Sequence, residues 1–167
     1  MARWSEIRHK LEHEYLAVSL RGRIRYFATA YRESHDSNKG RAAILLDGKQ
    51  ILQGNTFEYY IHPSDWWPYD TPAPAVCQQS LDVGQLDQWT FYRAFDEFDN
   101  QSIEASLQSE NLLVRIFAVL DRRVGKRRLL AMQESLSREP MWFQVFWRIR
   151  AEAEGIVSKG EVNEADK

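Results

Sequence analysis

The chain has 167 residues, of which 44% are hydrophobic and 28% charged, and its net charge is −2 at pH 7. This length suits one domain, and the 13% share of aromatic residues excludes an intrinsically disordered chain. The single cysteine excludes an internal disulfide and a cysteine-based zinc site. No apolar run approaches the roughly 20 residues that span a bilayer, and the N-terminus lacks the apolar core of a secretion signal. A cytoplasmic location without membrane contact is therefore expected.

Periodicity predicts helices at the N-terminus and a hairpin after them. Apolar residues recur at helical spacing over residues 4–17, and a second apolar stripe predicts another helix over residues 19–35. Asp47-Gly48 lies between two apolar runs, so strands near 41–46 and 49–54 are expected to pair across it. A third strand at 56–61 would enlarge this sheet.

The second half of the chain predicts helices that follow an irregular segment. Residues 62–88 hold most of the prolines and show no period, so they are interpreted as a loop anchored by aromatic side chains. Five helical stretches follow, with Ser102 and Asn111 as N-caps, while Pro140 and Gly155 bracket the last helix. The predicted fold is α+β and helix-dominated, with a small antiparallel sheet and a C-terminal helical bundle. One compact domain over residues 1–155 and a frayed polar tail over 156–167 are expected.

Three stretches together resemble a family of small, uncharacterised bacterial proteins. They read "RYFATAYRESHDSNKGRAAILLDGKQIL", "NLLVRIFAVLDRRVGKRRL" and "FWRIRAEAEGI". The resemblance covers most of the chain apart from the Trp- and Pro-rich middle and the tail. It implies a bacterial, cytosolic, single-domain protein, and it transfers no activity and no site residue.

Charge is unevenly distributed along the chain, which offers two kinds of binding surface. Residues 36–114 carry 4 basic and 12 acidic groups, whereas residues 115–150 carry 9 basic and 3 acidic groups. The stretch "LDRRVGKRRL" at 120–129 concentrates cations between two predicted helices, in the outline of a helix-turn-helix. The cations that would contact nucleic acid there are Arg122, Arg123, Lys126, Arg127 and Arg128.

Three observations weigh against nucleic-acid binding, so it is the alternative hypothesis. The isoelectric point of about 6.1 is far below the value above roughly 9 typical of nucleic-acid-binding domains. The helix after the turn continues with Leu and Met, which suit a buried face better than base contacts. Cations just past a helix end also cap its carbonyls and favour its dipole without any ligand.

The favoured hypothesis is a non-enzymatic protein-binding module, of which an immunity or regulatory protein that engages a basic partner is one form. The acidic middle segment carries Trp and Tyr side chains that can anchor a partner, while its charge steers the encounter. The alternative for these rings is that they close the core beneath a long loop. The expected partner-binding residues are Tyr59, Tyr60, Asp65, Trp66 and Trp67.

Catalytic and metal-binding patterns are weak, so no cofactor, no metal and no catalytic residue is predicted. Asp36, Asp47 and Lys49 have the spacing of a metal-dependent nuclease, but Asp47 fits the hairpin turn better. The acidic residues between 96 and 99 fit the solvated face of a helix better than a cation site. Cys77 has no nearby basic group in the sequence, so nothing predicts a lowered thiol pKa. Partner identity and oligomeric state do not follow from these patterns.

Overall fold

The structure is a computed structural model, and it describes residues 3–30, 40–54 and 75–156. In its N-terminal half the elements are helix α1 (Trp4–His9), a π-helical segment that continues it (Lys10–Tyr15), a 3-10 turn (Val18–Leu20), and strands β1 (Ile24–Ala30), β2 (Gly40–Leu46) and β3 (Lys49–Gln53). In its C-terminal half they are α2 (Gln78–Asp82), α3 (Gln88–Asp99), α4 (Ile103–Leu107), α5 (Leu112–Val119), α6 (Lys126–Gln133), a 3-10 turn (Leu136–Arg138) and α7 (Met141–Ala153). The predicted helix-dominated α+β class is confirmed.

The three strands form one antiparallel sheet in the order β1-β2-β3. The predicted hairpin is confirmed, since Leu46 pairs with Lys49 across a two-residue turn. Asp47 and Gly48 have φ values of 50° and 83°, as a type I′ turn requires. The Asp47 carboxylate accepts two hydrogen bonds of 3.0 Å from Arg23.

The prediction of a helix over residues 19–35 is wrong, because β1 occupies residues 24–30. Gly22 has a φ of 80°, which ends the preceding turn in a left-handed conformation. Beyond it, alternate side chains face the core: Tyr26 is 4% exposed whereas Phe27 is 36% exposed. A helical stripe would have buried Phe27, so the two-residue period of a strand decides this segment.

Helix α5 lies at the centre of the molecule and packs against α3, α4 and α7. All its residues except Arg115 are buried, as expected of a helix that is apolar on every side. Phe117 contacts an aromatic cluster from the neighbouring elements, with ring centroids 5.2–5.7 Å from its own. The rings that surround it belong to Tyr26, Phe91 and Phe98. The predicted core residues Leu112, Ile116, Leu120 and Phe146 are buried, and Ile149 is partly buried against them.

The predicted N-caps are confirmed. Ser102 accepts a hydrogen bond from the Ala105 amide at the start of α4, and Asn111 accepts from the Leu113 and Val114 amides at the start of α5. Such side-chain caps satisfy amides that have no partner within the helix.

The start of α3 is fixed against the sheet by backbone contacts. The Ala42 amide donates to the Leu86 carbonyl at 3.0 Å, and the Gly54 amide donates to the Ala42 carbonyl at 2.9 Å. A side chain at Gly54 has no room, because its Cβ would lie 2.0 Å from the Leu86 carbonyl oxygen. The close approach of these two backbones therefore sets where α3 begins.

Two sequence predictions fall wholly or partly outside the described residues. The third strand predicted at 56–61 lies outside them, and β1 is the third strand of the sheet that the structure describes. The irregular segment predicted at 62–88 is described only from residue 75 onward. There the prediction is wrong for Gln78–Asp82, which form helix α2. A Gln78 side-chain bond to the Trp142 amide at 2.8 Å ties this helix to α7, a contact that short-range patterns do not reveal.

Candidate protein-interaction site

A groove of about 390 Å³ runs between α1 and α3. Ile7 from α1 and Phe95 from α3 are buried beneath it. Trp89 and Tyr92 form its aromatic wall, and charged side chains of α3 line the rest. We call this feature the α1–α3 groove.

The aromatic wall is held in place by the ends of both helices. The Asp87 carboxylate caps α3 by accepting from the Thr90 amide at 2.6 Å, which fixes the first turn that carries Trp89. Tyr92 stacks on Trp4 with ring centroids 6.2 Å apart, and Trp89 meets Tyr92 edge-to-face at 6.1 Å. Trp89 is nevertheless 37% exposed. Large rigid rings with one open face are typical anchors of protein interfaces.

Two charged side chains of α3 line the groove and have no counter-ion among the described residues. Arg93 and Asp96 are both exposed, and both line the groove. In the part of the chain that the structure describes, Arg93 has no hydrogen bond or ion pair. Among the same residues, the Asp96 carboxylate accepts only from the side-chain amide of Asn100, at 3.2 Å. Because no described residue neutralises either charge, both can be offered to a binding partner.

The groove ends at a polar cluster where α3 meets the π-helical segment. Lys10 donates to the Asp99 carboxylate at 3.0 and 3.2 Å, and the Tyr15 hydroxyl donates to the same carboxylate. Burial, followed by the hydrogen bond to Asp99, raises the pKa of Tyr15 to about 12. The Tyr15 phenol therefore holds its proton at neutral pH, so it is a structural donor and is unsuited to act as a base.

The π-helical segment makes this cluster possible by turning several side chains inward. Glu12 is buried, and its carboxylate accepts from the Tyr26 amide of β1 at 3.0 Å. Within the same segment Lys10 and Tyr15 point to Asp99 on α3. A π-helical insertion changes the angle between successive side chains, and such insertions often occur at functional sites. Here the segment joins the sheet edge to the end of the groove.

Much of the basic stretch at 120–129 is used inside the molecule. Arg123 donates to the buried Asp121 carboxylate at 3.0 and 2.8 Å, and its guanidinium lies 5.0 Å from the centroid of the Tyr15 ring. Its hydrogen bond to Asp121 raises the pKa of Arg123. Arg122 donates to the Glu14 carbonyl at 2.7 Å. These two cations connect the turn to the N-terminal segment.

The other three cations lie at the first turn of α6. Arg128 donates to Glu104 at 3.1 Å, and this contact lowers the pKa of Glu104 together with a backbone hydrogen bond of Glu104 itself, which is the larger cause. Lys126 and Arg127 are exposed. Because α6 begins at Lys126, all three occupy the end of the helix where the dipole disfavours positive charge. The predicted favourable dipole interaction concerned the helix that precedes the turn, and it does not extend to α6.

The carbonyls at the end of α5 are capped by a residue that the sequence did not single out. Arg150 is 3% exposed and donates to the carbonyls of Val119, Asp121 and Val124 at 3.1, 2.7 and 2.6 Å. Its Nε donates to Glu154. In the sequence Arg150 is one of two cations in the last helix. Only its apolar neighbours Phe146, Trp147 and Ala151 indicate that it occupies the buried side.

The partner-binding residues predicted from the sequence lie outside the described residues. These residues are Tyr59, Tyr60, Asp65, Trp66 and Trp67. Asp36 of the nuclease-like pattern also lies outside the described residues. The structure neither joins them to the α1–α3 groove nor separates them from it.

Cys77 differs from its sequence prediction. It is exposed, and a hydrogen bond from the Ser80 side chain lowers the pKa of its thiol, with a backbone bond of Ser80 as the next cause. The absence of a nearby basic residue was therefore an incomplete criterion, because a hydroxyl three residues away stabilises the thiolate.

The described residues hold no group of three or more His, Cys, Asp and Glu side chains suited to a metal ion. In residues 3–30, 40–54 and 75–156, every helix is too short or too polar to cross a bilayer. The acidic residues between 96 and 99 do not act together, since Asp99 is engaged by Lys10 and Tyr15.

The chain was compared with curated proteins and with solved structures. No curated protein and no solved structure matches it. One protein family does match, over residues 3–151, which includes both helices of the groove and the whole basic turn. The chain therefore belongs to the SF0329 protein family.

Proposed function

We propose that this protein is a non-enzymatic protein-binding module and that the α1–α3 groove is one of its recognition surfaces. The observation that supports this is the open face of Trp89, next to a cation and an anion that no described residue neutralises. Aromatic anchors surrounded by charged rims are typical of protein–protein interfaces.

The mixture of charges favours a protein as the ligand of the groove. A nucleic acid would satisfy Arg93 but would bring phosphates next to Asp96, and like charges at an interface oppose binding. A protein surface offers both signs within a few ångströms. The acidic aromatic segment that contains Trp66 and Trp67 remains a separate sequence-based prediction of a surface for a basic partner.

A photo-crosslinking amino acid placed at Trp89 tests this proposal in cells that produce the protein. Leu130 is the matched control position, because it is a large apolar residue that is 49% exposed and lies on α6, away from the groove. We expect a discrete crosslinked protein product from position 89 and none from position 130. Equal or absent products at the two positions would contradict the proposal.

A second measurement uses the identified partner. Truncating Trp89 to Ala removes the anchor, so the complex should weaken by about 2 kcal/mol or more. The ring is partly exposed, so the melting temperature of the free variant should change little. A variant that binds normally would show that Trp89 is not the anchor.

A further inference from the structure

We propose that the partner that occupies the α1–α3 groove is a second copy of this chain, in a homodimer whose two α3 helices pack antiparallel about a two-fold axis. This inference rests on the proposed function, because it assigns a partner to the same groove. It follows from the arrangement of exposed side chains on α3 and from their charges.

Exposed side chains form a stripe along one face of α3. Trp89, Arg93, Asp96 and Asn100 are all exposed, and their spacing of four, three and four residues places them on one face of the helix. Ile7 and Phe95 provide an apolar floor next to this stripe. The face thus combines an aromatic ring, an apolar depression and two charges along about three helical turns.

The charges of this stripe are complementary to those of a second, antiparallel copy. Arg93 and Asp96 are one turn apart and opposite in sign, and they form no ion pair with each other. A two-fold axis that crosses α3 between residues 94 and 95 places Arg93 against the partner's Asp96, and symmetry repeats the pair. A uniformly basic or acidic partner would leave one of the two charges unmatched. A second copy neutralises both.

The Trp89 ring also has a place in this antiparallel arrangement. The same axis places Trp89 near the partner's Asn100, because the two positions are equally distant from the axis in opposite directions. Trp89 then covers the end of the partner's groove, next to its apolar floor. Both exposed indoles lose contact with water in one arrangement. An interface formed by one helix face is expected to be small, and small interfaces are typical of reversible complexes.

Sedimentation equilibrium of the full chain from micromolar to hundred-micromolar concentration tests the dimer. We expect a reversible species of twice the monomer mass. Arg93→Asp and Asp96→Arg should each raise the dissociation constant by about tenfold or more, because each creates like-charge contacts. The double variant R93D/D96R exchanges the two charges and should restore the wild-type dissociation constant. Melting temperatures close to wild type would confirm that the variants fold.

Three results would overturn the dimer: a monomer at every concentration, single charge reversals without effect, or a double variant as weak as the single ones. These results are distinguishable from failure of the proposed function. If the chain is monomeric while crosslinking at Trp89 captures a different protein, the groove binds a heterologous partner and only the dimer fails. If position 89 captures no protein, both fail.

Discussion

The turn at 120–129 and the α1–α3 groove are both rich in charge, but they use it differently. In the turn, Arg122 and Arg123 are bound to groups of the same molecule, and the turn itself is clamped from beneath by Arg150. At the groove, Arg93 and Asp96 have no counter-ion within residues 3–30, 40–54 and 75–156. Charge density along the sequence indicates the turn as a binding surface, whereas charges without a counter-ion among the described residues indicate the groove. A surface is available for binding when its charges lack partners in the molecule itself.

The largest expected effect concerns the clamp under the turn. Arg150→Ala removes the donor for three buried carbonyls, and buried acceptors without partners are costly. We expect the free energy of unfolding to fall by about 3–5 kcal/mol. Arg148→Ala is the matched control, since Arg148 is exposed on the same helix and should change stability by less than about 0.5 kcal/mol. Urea unfolding measures both, and equal stabilities would refute the clamp.

A smaller effect separates two cations within the turn. Arg123→Ala leaves the fully buried Asp121 carboxylate without its guanidinium partner, so stability should fall by about 1–3 kcal/mol. Arg127→Ala removes an exposed side chain and should have an effect below about 0.5 kcal/mol. If both variants unfold at the same urea concentration as wild type, the cations of the turn are not structurally engaged as described.

Tyr15 connects the two regions, because its hydroxyl donates to Asp99 and its ring lies under Arg123. Its pKa is about 12 in the folded protein against 10.0 for an ordinary tyrosine. As pH rises through 10, the unfolded chain loses this proton first, so folding stability decreases between pH 10 and 12. Tyr15→Phe lacks this component and should lose less stability over the same range. Parallel slopes for wild type and variant would contradict the assignment.

The smallest expected effect is on nucleic-acid binding. Because Arg122, Arg123 and Arg128 are engaged by the protein itself, only Lys126 and Arg127 remain for phosphates. We therefore expect no submicromolar binding of duplex DNA or RNA in fluorescence anisotropy at physiological salt. Tight, steeply salt-dependent binding that disappears in a K126Q/R127Q variant would favour the alternative hypothesis of a nucleic-acid-binding protein.

The elements predicted correctly from the sequence are those determined by neighbouring residues. The Asp47-Gly48 turn and the caps at Ser102 and Asn111 depend on only a few adjacent positions. Strand β1 was predicted as a helix because Ile24 and Ala28 fit both periods. The choice is made by pairing with β2, in which Tyr26 lies opposite Ile44. Tertiary pairing of this kind overrides local propensity.

The candidate site was less predictable than the fold, for the same physical reason. Lys10 and Asp99 are 89 positions apart, so the end of the groove exists only after distant segments pack together. Exposure of Trp89 could not be distinguished from burial either, since Phe91 and Phe95 on the same helix are buried. The role of Arg150 depends on carbonyls up to 31 positions away.

The contact between the π-helical segment and the basic turn also determines when the protein can fold during its synthesis. Leu16 pairs with Asp121, and Arg122 binds the Glu14 carbonyl 108 positions earlier in the chain. Helix α1 and the π-helical segment therefore leave the ribosome long before residues 121 and 122 are synthesised. Until then their apolar side chains Ile7 and Leu11 are exposed to water. Exposed apolar segments of this kind are recognised by chaperones. We expect the N-terminal segment to dock only once residue 122 has left the ribosome, so a translational pause before that point prolongs its exposure.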